Sequence, residues 1–409
     1  MTKTSPANTA EPLLSGITVV DFTRVLAGPY ATRMLADLGA RVIKIERPGE
    51  GDEIRYTVLQ LDPKRTDQSS YFARLNAGKE SIAIDLANPQ ARDIALDLVR
   101  GADVVVENFS PGVMARYGLD AATLLAMRPD LVYCSISGFG QTGPMSSMQA
   151  YAHLINAISG VMDLDRGGES SPRVSYLQTA DVLAGAHAFG AICAALLRRG
   201  RNGRGAYLDV SMLECLIAAD DLTYGSLLNG GEVLREPRVG MVVHPIGERY
   251  VAMQSAGAPH LWSRLLALIG RPEMASDPRF ATVMSRRANW KALVQILRER
   301  LDAFESVDEA VKTLAAARIP AVPVLSPEEV IELPHLAERS AFPEIPHQGR
   351  GSIRVTALPF HVDRMPVAPG GPAPYRVGQH THAVLAGLGY DAERIRSLQS
   401  QRVVEIPED

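Results

Sequence analysis

The sequence lacks most of the short motifs that would assign it to an enzyme class at once. It has 3 cysteines and 9 histidines in 409 residues, and none of them has the C-x-x-C or H-E-x-x-H spacing of a metal site. No G-x-S-x-G segment of a serine hydrolase occurs. No long uninterrupted apolar run is found, so the sequence predicts no membrane span.

An excess of positive charge is also missing. The net charge of −4 argues against a nucleic-acid partner, because binding to the phosphate backbone needs a basic face. Cys134, Cys193 and Cys215 lie in apolar stretches, which is typical of buried free thiols in a reducing compartment, and we expect a cytoplasmic protein. Residues 1–13 lack the apolar core of a signal peptide, and we expect a disordered leader there.

The pattern that is present is an alternation of short apolar strands with helices, from residue 17 to about residue 215. This alternation predicts an α/β fold with a parallel sheet covered on both faces. The predicted strands are Thr18–Phe22, Arg41–Ile45, Ser81–Asp85, Asp103–Glu107 and Leu131–Ser137. The predicted helices are Pro29–Leu38, Pro89–Arg100, Ala121–Met127, Asp181–Arg199 and Met212–Leu228.

A chain of this length predicts two domains. The pattern changes near residue 230, where a hairpin around Gly247 is followed by helices at Pro259–Ile269, Arg286–Phe304 and Val307–Ala316. We therefore expect a large Rossmann-like domain over residues 14–229 and a smaller α+β domain over residues 230–325. Residues 326–409 then form a return linker and a C-terminal part of the large domain.

The turn after the first strand is the first candidate site. It holds Ala27, Gly28 and Pro29, which is not the three-glycine segment of a dinucleotide site. A helix that starts there presents free N–H groups to a ligand above the strand end. Lys44 and Arg47 come from the second strand to the same edge, where an open α/β sheet holds phosphate-bearing ligands.

A carboxylate at the start of a long apolar helix is the second candidate. Asp181 precedes a run of small and apolar residues, and a helix N-terminus stabilises an anion. Such an aspartate is commonly an N-cap, and it can also be a nucleophile that forms a covalent acyl intermediate. The residues alone leave both roles open.

Four cations near strand ends could bind an ADP-type ligand or could be ordinary surface charges. They are Arg47, Arg74, Lys79 and Arg116. The loop Gly138–Pro144 is rich in glycine but is most simply a plain loop. His153 and His187 lie on apolar helical faces, and we expect them to be packed in the core.

Several motifs together make the chain resemble the class III CoA transferases (the CaiB/BaiF, or formyl-CoA transferase-like, family), which also include carnitine CoA transferase and α-methylacyl-CoA racemase. The resemblance runs from Leu14 to about Val404. The matching segments are Asp21–Pro29, Leu38–Arg47, Leu75–Lys79, Asp103–Gly112, the Asp181 helix, Asn202–Leu213, Gly378–His382 and Leu388–Tyr390.

This resemblance implies two interlocked chains in a homodimer and CoA transfer from an acyl-CoA to a small carboxylic acid. It implies that Asp181 attacks the thioester and then carries CoA as an aspartyl thioester. It also implies CoA as substrate, with no permanently bound cofactor and no metal. The implied CoA contacts are Val25, Leu26, Ala27, Arg47, Leu75, Lys79, Asn108, Phe109, Arg116 and Tyr151.

Two alternatives stay open. A racemase of the same family needs an acid/base pair, but its histidine falls on Tyr151 here and its aspartate on Ala152, which favours transfer. A non-catalytic CoA-binding protein is opposed by the presence of Asp181. The acid is not readable; Arg235, Arg238 and His244 are its candidate contacts in the small domain, and extra cations would suit a dicarboxylate such as succinate.

Overall fold

The computed structural model describes residues 11–166, 171–220, 223–233, 240–254 and 259–408. Its strands are β1 (Thr18–Asp21), β2 (Arg41–Glu46), β3 (Lys79–Ile84), β4 (Val104–Glu107), β5 (Val132–Ser137), β6 (Ala206–Ser211), β7 (Met241–Ile246), β8 (Arg249–Gln254), β9 (Ala321–Pro323), β10 (Glu344–His347), β11 (Gly351–Arg354), β12 (His361–Val362), β13 (Met365–Pro366) and β14 (Val404–Glu405).

Its helices begin and end as follows: α1 (Ala27–Asp37), α2 (Ser70–Asn76), α3 (Ala91–Arg100), α4 (Val113–Arg116), α5 (Ala121–Met127), α6 (Ala152–Ile158), α7 (Val161–Asp165), α8 (Thr179–Asn202), α9 (Met212–Ala218), α10 (Thr223–Leu227), α11 (Pro259–Ile269), α12 (Val283–Ala288), α13 (Trp290–Leu301), α14 (Val307–Ala316), α15 (Pro327–Ile331), α16 (Pro334–Glu338), α17 (Thr381–Gly387) and α18 (Ala392–Ser400).

A seven-stranded sheet with the order β14-β3-β2-β1-β4-β5-β6 forms the larger unit. All neighbours are parallel except β14, which runs antiparallel to β3. The order 3-2-1-4-5-6 is that of doubly wound nucleotide-binding sheets, whose ligand crevice lies where the strand order reverses, between β1 and β4. The α/β, Rossmann-like prediction is therefore confirmed.

Both faces of this sheet are covered, which explains why its central strands read as continuous apolar runs. Successive side chains of one strand point to opposite faces: Val19 packs in one core cluster and Val20 in the other. The Val19 side also contains the buried alanines of α8, and the Val20 side contains buried residues of α17 and α18.

The chain forms two compact units. One comprises residues 1–165, 172–231 and 334–409, and the other comprises residues 166–171 and 232–333. The smaller unit contains the antiparallel strands β7, β8 and β9 and a core that includes Trp262, Phe280 and Trp290. The domain boundaries drawn from the sequence stay predictions.

The sequence analysis found no segment apolar enough to span a membrane, and one helix is an exception to that statement. Helix α8 has 24 residues, and its most apolar window has a mean hydropathy of 1.7, so by length and composition it could cross a membrane. The core helix of a soluble protein passes the same test, and the buried face of α8 packs in the Val19 core cluster. This helix is therefore weak evidence for a span.

Candidate functional site

The loop between β1 and α1 has a strained backbone that two side chains hold in place. Val25 has φ of 66°, the left-handed region that a β-branched residue rarely adopts. Its N–H donates to both carboxylate oxygens of Asp52, at 3.2 and 3.3 Å. Asn108 exchanges two hydrogen bonds of 2.8 Å with the backbone of Arg24. Strain of this kind persists where the surroundings impose it, and it is concentrated at functional sites.

Fully buried ion pairs lie beneath this loop. Lys44 Nζ donates to Asp52 at 2.9 Å and to the carbonyl oxygen of Thr23 at 2.7 Å. The Arg55 guanidinium binds Glu46 through two hydrogen bonds of 2.8 Å. The sequence prediction that Lys44 reaches a ligand is therefore wrong, because its ammonium is used inside the fold.

Lys79 is likewise an internal residue. Its ammonium lies 3.0 Å from the Asp21 carboxylate and also contacts oxygens of Pro29, Thr32 and Asn76 at 2.8–3.2 Å. Its side chain has no exposed surface. The ammonium of Lys79 is used inside the fold, because β3 begins at Lys79 and directs its side chain beneath the first turn of α1. The contact of Lys79 with CoA stays a prediction.

Asp181 lies in the first turn of α8 and is half-buried. Its carboxylate accepts a hydrogen bond from the backbone N–H of Ala27, the first residue of α1. Two helix N-termini thus meet at one carboxylate, and both favour its anionic form. Burial is the larger effect and raises the pKa of Asp181 to about 6, against the lowering effects of Ala27 and His153.

The close approach of α1 and α8 depends on a glycine one turn after Asp181. A Cβ atom on Gly185 would lie 2.6 Å from the carbonyl oxygen of Ala27 and 3.0 Å from the Tyr30 ring. Any side chain at this position would push the two helices apart. Gly185 therefore keeps the start of α1 within hydrogen-bonding distance of Asp181.

An apolar wall stands beside this carboxylate. Leu26 and Leu75 form part of a buried cluster, and the half-buried Val25, Tyr71 and Val182 pack against it. Leu26 and Leu75 are only 3% and 1% exposed, so these two predicted contacts lie inside the wall. Tyr71, which the sequence analysis missed, donates a hydrogen bond of 3.1 Å to the Gln178 side chain just before α8. Burial, together with the negative charge of Asp181, raises the pKa of Tyr71 to about 12.

His153 also differs from what the sequence analysis expected. It lies in the first turn of α6 and is exposed, so the expectation of a packed histidine is wrong; His187 is exposed as well. His153 is near enough to Asp181 for its positive form to lower the pKa of that carboxyl. Tyr151 caps the same helix and is 69% exposed, and Ala152 between them is buried.

Comparison with known proteins decides the family. The sequence profile of CoA-transferase family III matches residues 14–381. The chain belongs to CoA-transferase family III.

Curated relatives in this family are named for CoA transfer. The acetyl-CoA:oxalate CoA-transferase of Acetobacter aceti is 38% identical over 83% of this chain and 87% of its own. The succinate–glutarate CoA-transferase of Agrobacterium fabrum is 32% identical over 92% of this chain and 96% of its own. Among solved structures, a CAIB/BAIF family protein of Brucella suis has a TM-score of 0.78 and 31% identity, covering 93% of this chain and 100% of its own.

For the other predicted CoA contacts, the structure shows only where each side chain lies and what it touches. Arg47 and Arg116 are exposed; Arg47 lies 3.1 Å from Glu50. Phe109 is half-buried, with the Arg24 guanidinium 5.1 Å from its ring centre. Asn108 is engaged with the backbone of the β1–α1 loop, so its side chain shapes the site. The roles of these residues in binding CoA stay predictions.

Of the three predicted acid contacts in the smaller unit, only His244 lies among the described residues. Arg235 and Arg238 lie outside the described residues. His244, on β7, is buried and its Nε2 lies 2.8 Å from Asp302, so its ring is a structural group of that unit. Among the residues that the structure describes, no cluster of three side chains could hold a metal ion.

Proposed function

We propose that this chain transfers CoA from an acyl-CoA to a small carboxylic acid, with Asp181 as the nucleophile. One observation carries the proposal: the N-termini of α8 and α1 meet at the Asp181 carboxylate. With a pKa of about 6, this carboxyl is mostly anionic at neutral pH and is more basic than an ordinary aspartate. A carboxylate of this kind can form acyl and thioester intermediates.

In the proposed reaction, an oxygen of Asp181 attacks the thioester carbonyl and the CoA thiolate leaves, which gives a mixed anhydride. The thiolate then attacks the aspartyl carbonyl of the anhydride and releases the donor acid as its carboxylate. The acceptor carboxylate attacks the resulting aspartyl thioester, and the thiolate finally attacks the acceptor's carbonyl in the new anhydride. Asp181 is regenerated, and no net proton is taken up.

The backbone around Asp181 fits the charge that these steps develop. Each attack produces a tetrahedral oxyanion, and a preorganised N–H donor that faces it lowers the barrier. The N–H of Ala27 already faces the carboxylate that becomes the reacting carbonyl. The strained loop before it, fixed by Asp52 and Asn108, keeps this donor from rotating away.

A panel of acids tests the reaction. Since relatives are named for oxalate, succinate and glutarate, we propose a dicarboxylate acceptor and expect new thioesters from acetyl-CoA or succinyl-CoA in the presence of these acids. Mass spectrometry identifies each product. Hydrolysis to free CoA without transfer to any acid would contradict the proposal.

The same incubation in deuterated water tests the racemase alternative. His153 beside Asp181 is the observation that favours it, since an acid/base pair at an α-carbon would catalyse proton exchange. Incorporation of deuterium into a 2-methylacyl-CoA, without any acid acceptor, would support racemisation. We expect no exchange above the rate without enzyme.

Exposed cations provide a test of CoA binding. We propose that Arg116 contacts a CoA phosphate, so Arg116→Ala should raise the KM for acetyl-CoA about tenfold, which corresponds to a charge-assisted hydrogen bond. Arg100→Ala is the matched control, because Arg100 is exposed and pairs with Asp97 at the end of α3. An equal KM for both variants would assign Arg116 to ordinary surface charge.

We also propose that the chain is a homodimer. Apart from its buried alanines, α8 exposes Ala186, Gly190, Ala194 and Leu197, which recur along one side of the helix. A second copy is the partner that the family resemblance implies for this chain. Light scattering should give twice the 44.1 kDa of one chain. A monomeric mass at micromolar concentration would contradict this proposal.

A further inference from the structure

A cavity of about 370 Å³ lies against the larger sheet, beside α4 and α5. Its wall includes Glu107, Ser135, Tyr133, Tyr207 and Gln141. Asp181 and the β1–α1 loop are not part of this wall. The cavity is therefore separate from the proposed catalytic carboxylate, and the function proposed above assigns it no role.

Glu107, at the end of β4, is a buried acid that lacks the ion pair formed by three other buried acids of the large unit. Asp21, Asp52 and Glu46 are each paired with a lysine or arginine within 3.0 Å. Glu107 is only 4% exposed, yet within the described parts of the chain its partners are the backbone N–H of Phe109 and the Ser135 hydroxyl.

A buried carboxylate without a cation is costly. Burial, reinforced by the nearby Asp209 carboxylate, raises the pKa of Glu107 to about 7. A positive charge placed in the cavity would therefore stabilise the anionic form of this side chain.

The remaining wall has the features of a site for an organic cation. The rings of Tyr133 and Tyr207 lie 6.0 Å apart and are inclined at 56°. Tyr133 is only 1% exposed, so the aromatic surface open to an ammonium group comes mainly from Tyr207, which is 44% exposed. The apolar side chains of Met114 and Leu125 suit an uncharged ligand body, and the wall also contains Ser110 and the Asp120 carboxylate.

Gln141 adds an unused polar group to this wall. Its side-chain nitrogen is buried and has no hydrogen-bond partner in the described chain. A half-turn of that amide would place its oxygen there as an acceptor for an ammonium group.

We propose that this cavity binds a small organic cation, whose ammonium group pairs with Glu107 while its apolar body lies against Tyr133, Tyr207 and Leu125. The inference does not depend on CoA transfer. It gives the chain a second ligand site, which prefers a cation, whereas a site for a CoA phosphate prefers an anion.

The probe is 2-phenylethylammonium, and its neutral isostere 2-phenylethanol is the control. We expect titration calorimetry or ligand-observed NMR on the full chain to show about tenfold tighter binding of the ammonium, the size of a charge-assisted hydrogen bond. Glu107→Gln should abolish this preference. Equal affinity of the two probes would overturn the proposal.

Two further arms keep the test decisive. Tyr207→Leu, at the half-exposed edge strand, should weaken binding of the ammonium severalfold if the rings contribute. This variant also serves if Glu107→Gln fails to fold, and unchanged affinity would contradict the proposed site. Saturating acetyl-CoA should leave binding of the probe intact; displacement would show that the cavity belongs to the CoA site and would overturn the inference.

Discussion

At the scale of the residue, Asp181 combines two opposing influences. Burial beside an apolar wall raises its pKa to about 6, and the Ala27 N–H and His153 act in the opposite direction. A nucleophilic carboxylate must be ionised to react, while a higher pKa makes it more nucleophilic. The site therefore gives a carboxylate that is stronger than a surface aspartate and still anionic at neutral pH.

The pH profile of transfer should report this balance. Because the reactive form is deprotonated, kcat/KM should rise with pH and level off above the pKa of about 6. His153→Gln removes a positive charge that lowers this pKa, so the midpoint should move to higher pH. The control His187→Gln, on the exposed side of α8, should leave it in place. A midpoint near the 3.8 of an ordinary aspartate would contradict the described burial.

Sequence reasoning predicts features that depend on neighbouring residues, and it fails for contacts between separate elements of the fold. The position of Asp181 in the first turn of a long helix could be predicted, because a helix start is a local feature that the sequence shows. Its role as a nucleophile stays a prediction. The burial of Lys79 and Lys44 could not be predicted, because their partners, Asp21 on β1 and Asp52 in the loop after β2, approach them only in the folded chain. Tyr71 and His153 approach Asp181 only through packing between elements, and a single sequence carries no signal for that.

At the scale of the element, the contact of α1 with α8 builds the site. The N-terminus of α1 provides the Ala27 N–H, and the first turn of α8 provides Asp181. The absence of a side chain at Gly185 allows the two backbones to approach. The hydrogen bond between the Ala27 N–H and Asp181 therefore depends on the distance between these two helices.

Two glycine substitutions in α8 test this contact. Gly185→Ala places a Cβ atom 2.6 Å from the Ala27 carbonyl oxygen, and we expect a loss of about 1–3 kcal/mol of unfolding free energy and at least a tenfold lower kcat. Gly200→Ala in the same helix meets nothing within 4 Å and should stabilise by up to about 1 kcal/mol.

Urea unfolding and transfer kinetics measure both variants. The same change at two glycines of one helix separates the effect of close packing from that of helix propensity. Equal gains in stability for the two variants would show that α1 and α8 are not held together as described.

The bounds of a helix were predicted correctly where apolar residues recur along it at regular helical spacing. Helices α5 and α14 begin and end where the sequence predicts. Strand β6 was missed because its first four residues alternate between half-buried and exposed positions at the edge of the sheet, so it lacks the continuous apolar run of the central strands. In place of the predicted helix Met212–Leu228, the structure describes α9, which ends at Ala218, and α10, which begins at Thr223. An apolar pattern alone does not distinguish one long helix from two shorter ones.

At the scale of the whole molecule, buried ion pairs fasten the strand ends of the large sheet. Glu46 binds Arg55, accepts a hydrogen bond from the Ser81 hydroxyl and receives the backbone N–H of Asp52. Burial alone would raise the pKa of Glu46, but the positive charges of Arg55 and Lys44 lower it to about 2. This carboxylate therefore stabilises the fold only while it is ionised.

The sign of the resulting pH dependence follows from that low value. The folded pKa lies below the ordinary value of 4.5, so the stabilisation is complete above pH 4.5 and is lost as pH falls towards 2. We expect roughly 3 kcal/mol of unfolding free energy to disappear across this window. Glu46→Gln should be destabilised already at pH 7 and should lose less on acidification.

Glu80→Gln is the control for this prediction, since Glu80 pairs with Arg41 at the surface. It should follow the wild type in urea titrations at pH 7, 4 and 3. A wild-type unfolding free energy that stays constant from pH 5 to pH 2.5 would contradict the described role of the Glu46–Arg55 pair.

The central claim is that Asp181 forms a covalent bond during transfer, and trapping that bond tests it most directly. The enzyme is incubated with succinyl-CoA, quenched with hydroxylamine and digested, and the peptide that contains Asp181 is analysed by mass spectrometry. We predict an aspartyl hydroxamate at Asp181, its absence in Asp181→Asn, and a fall in turnover of at least about 10³-fold in that variant. An unmodified peptide during active turnover, or an Asp181→Asn variant that still transfers CoA at the wild-type rate, would contradict the account.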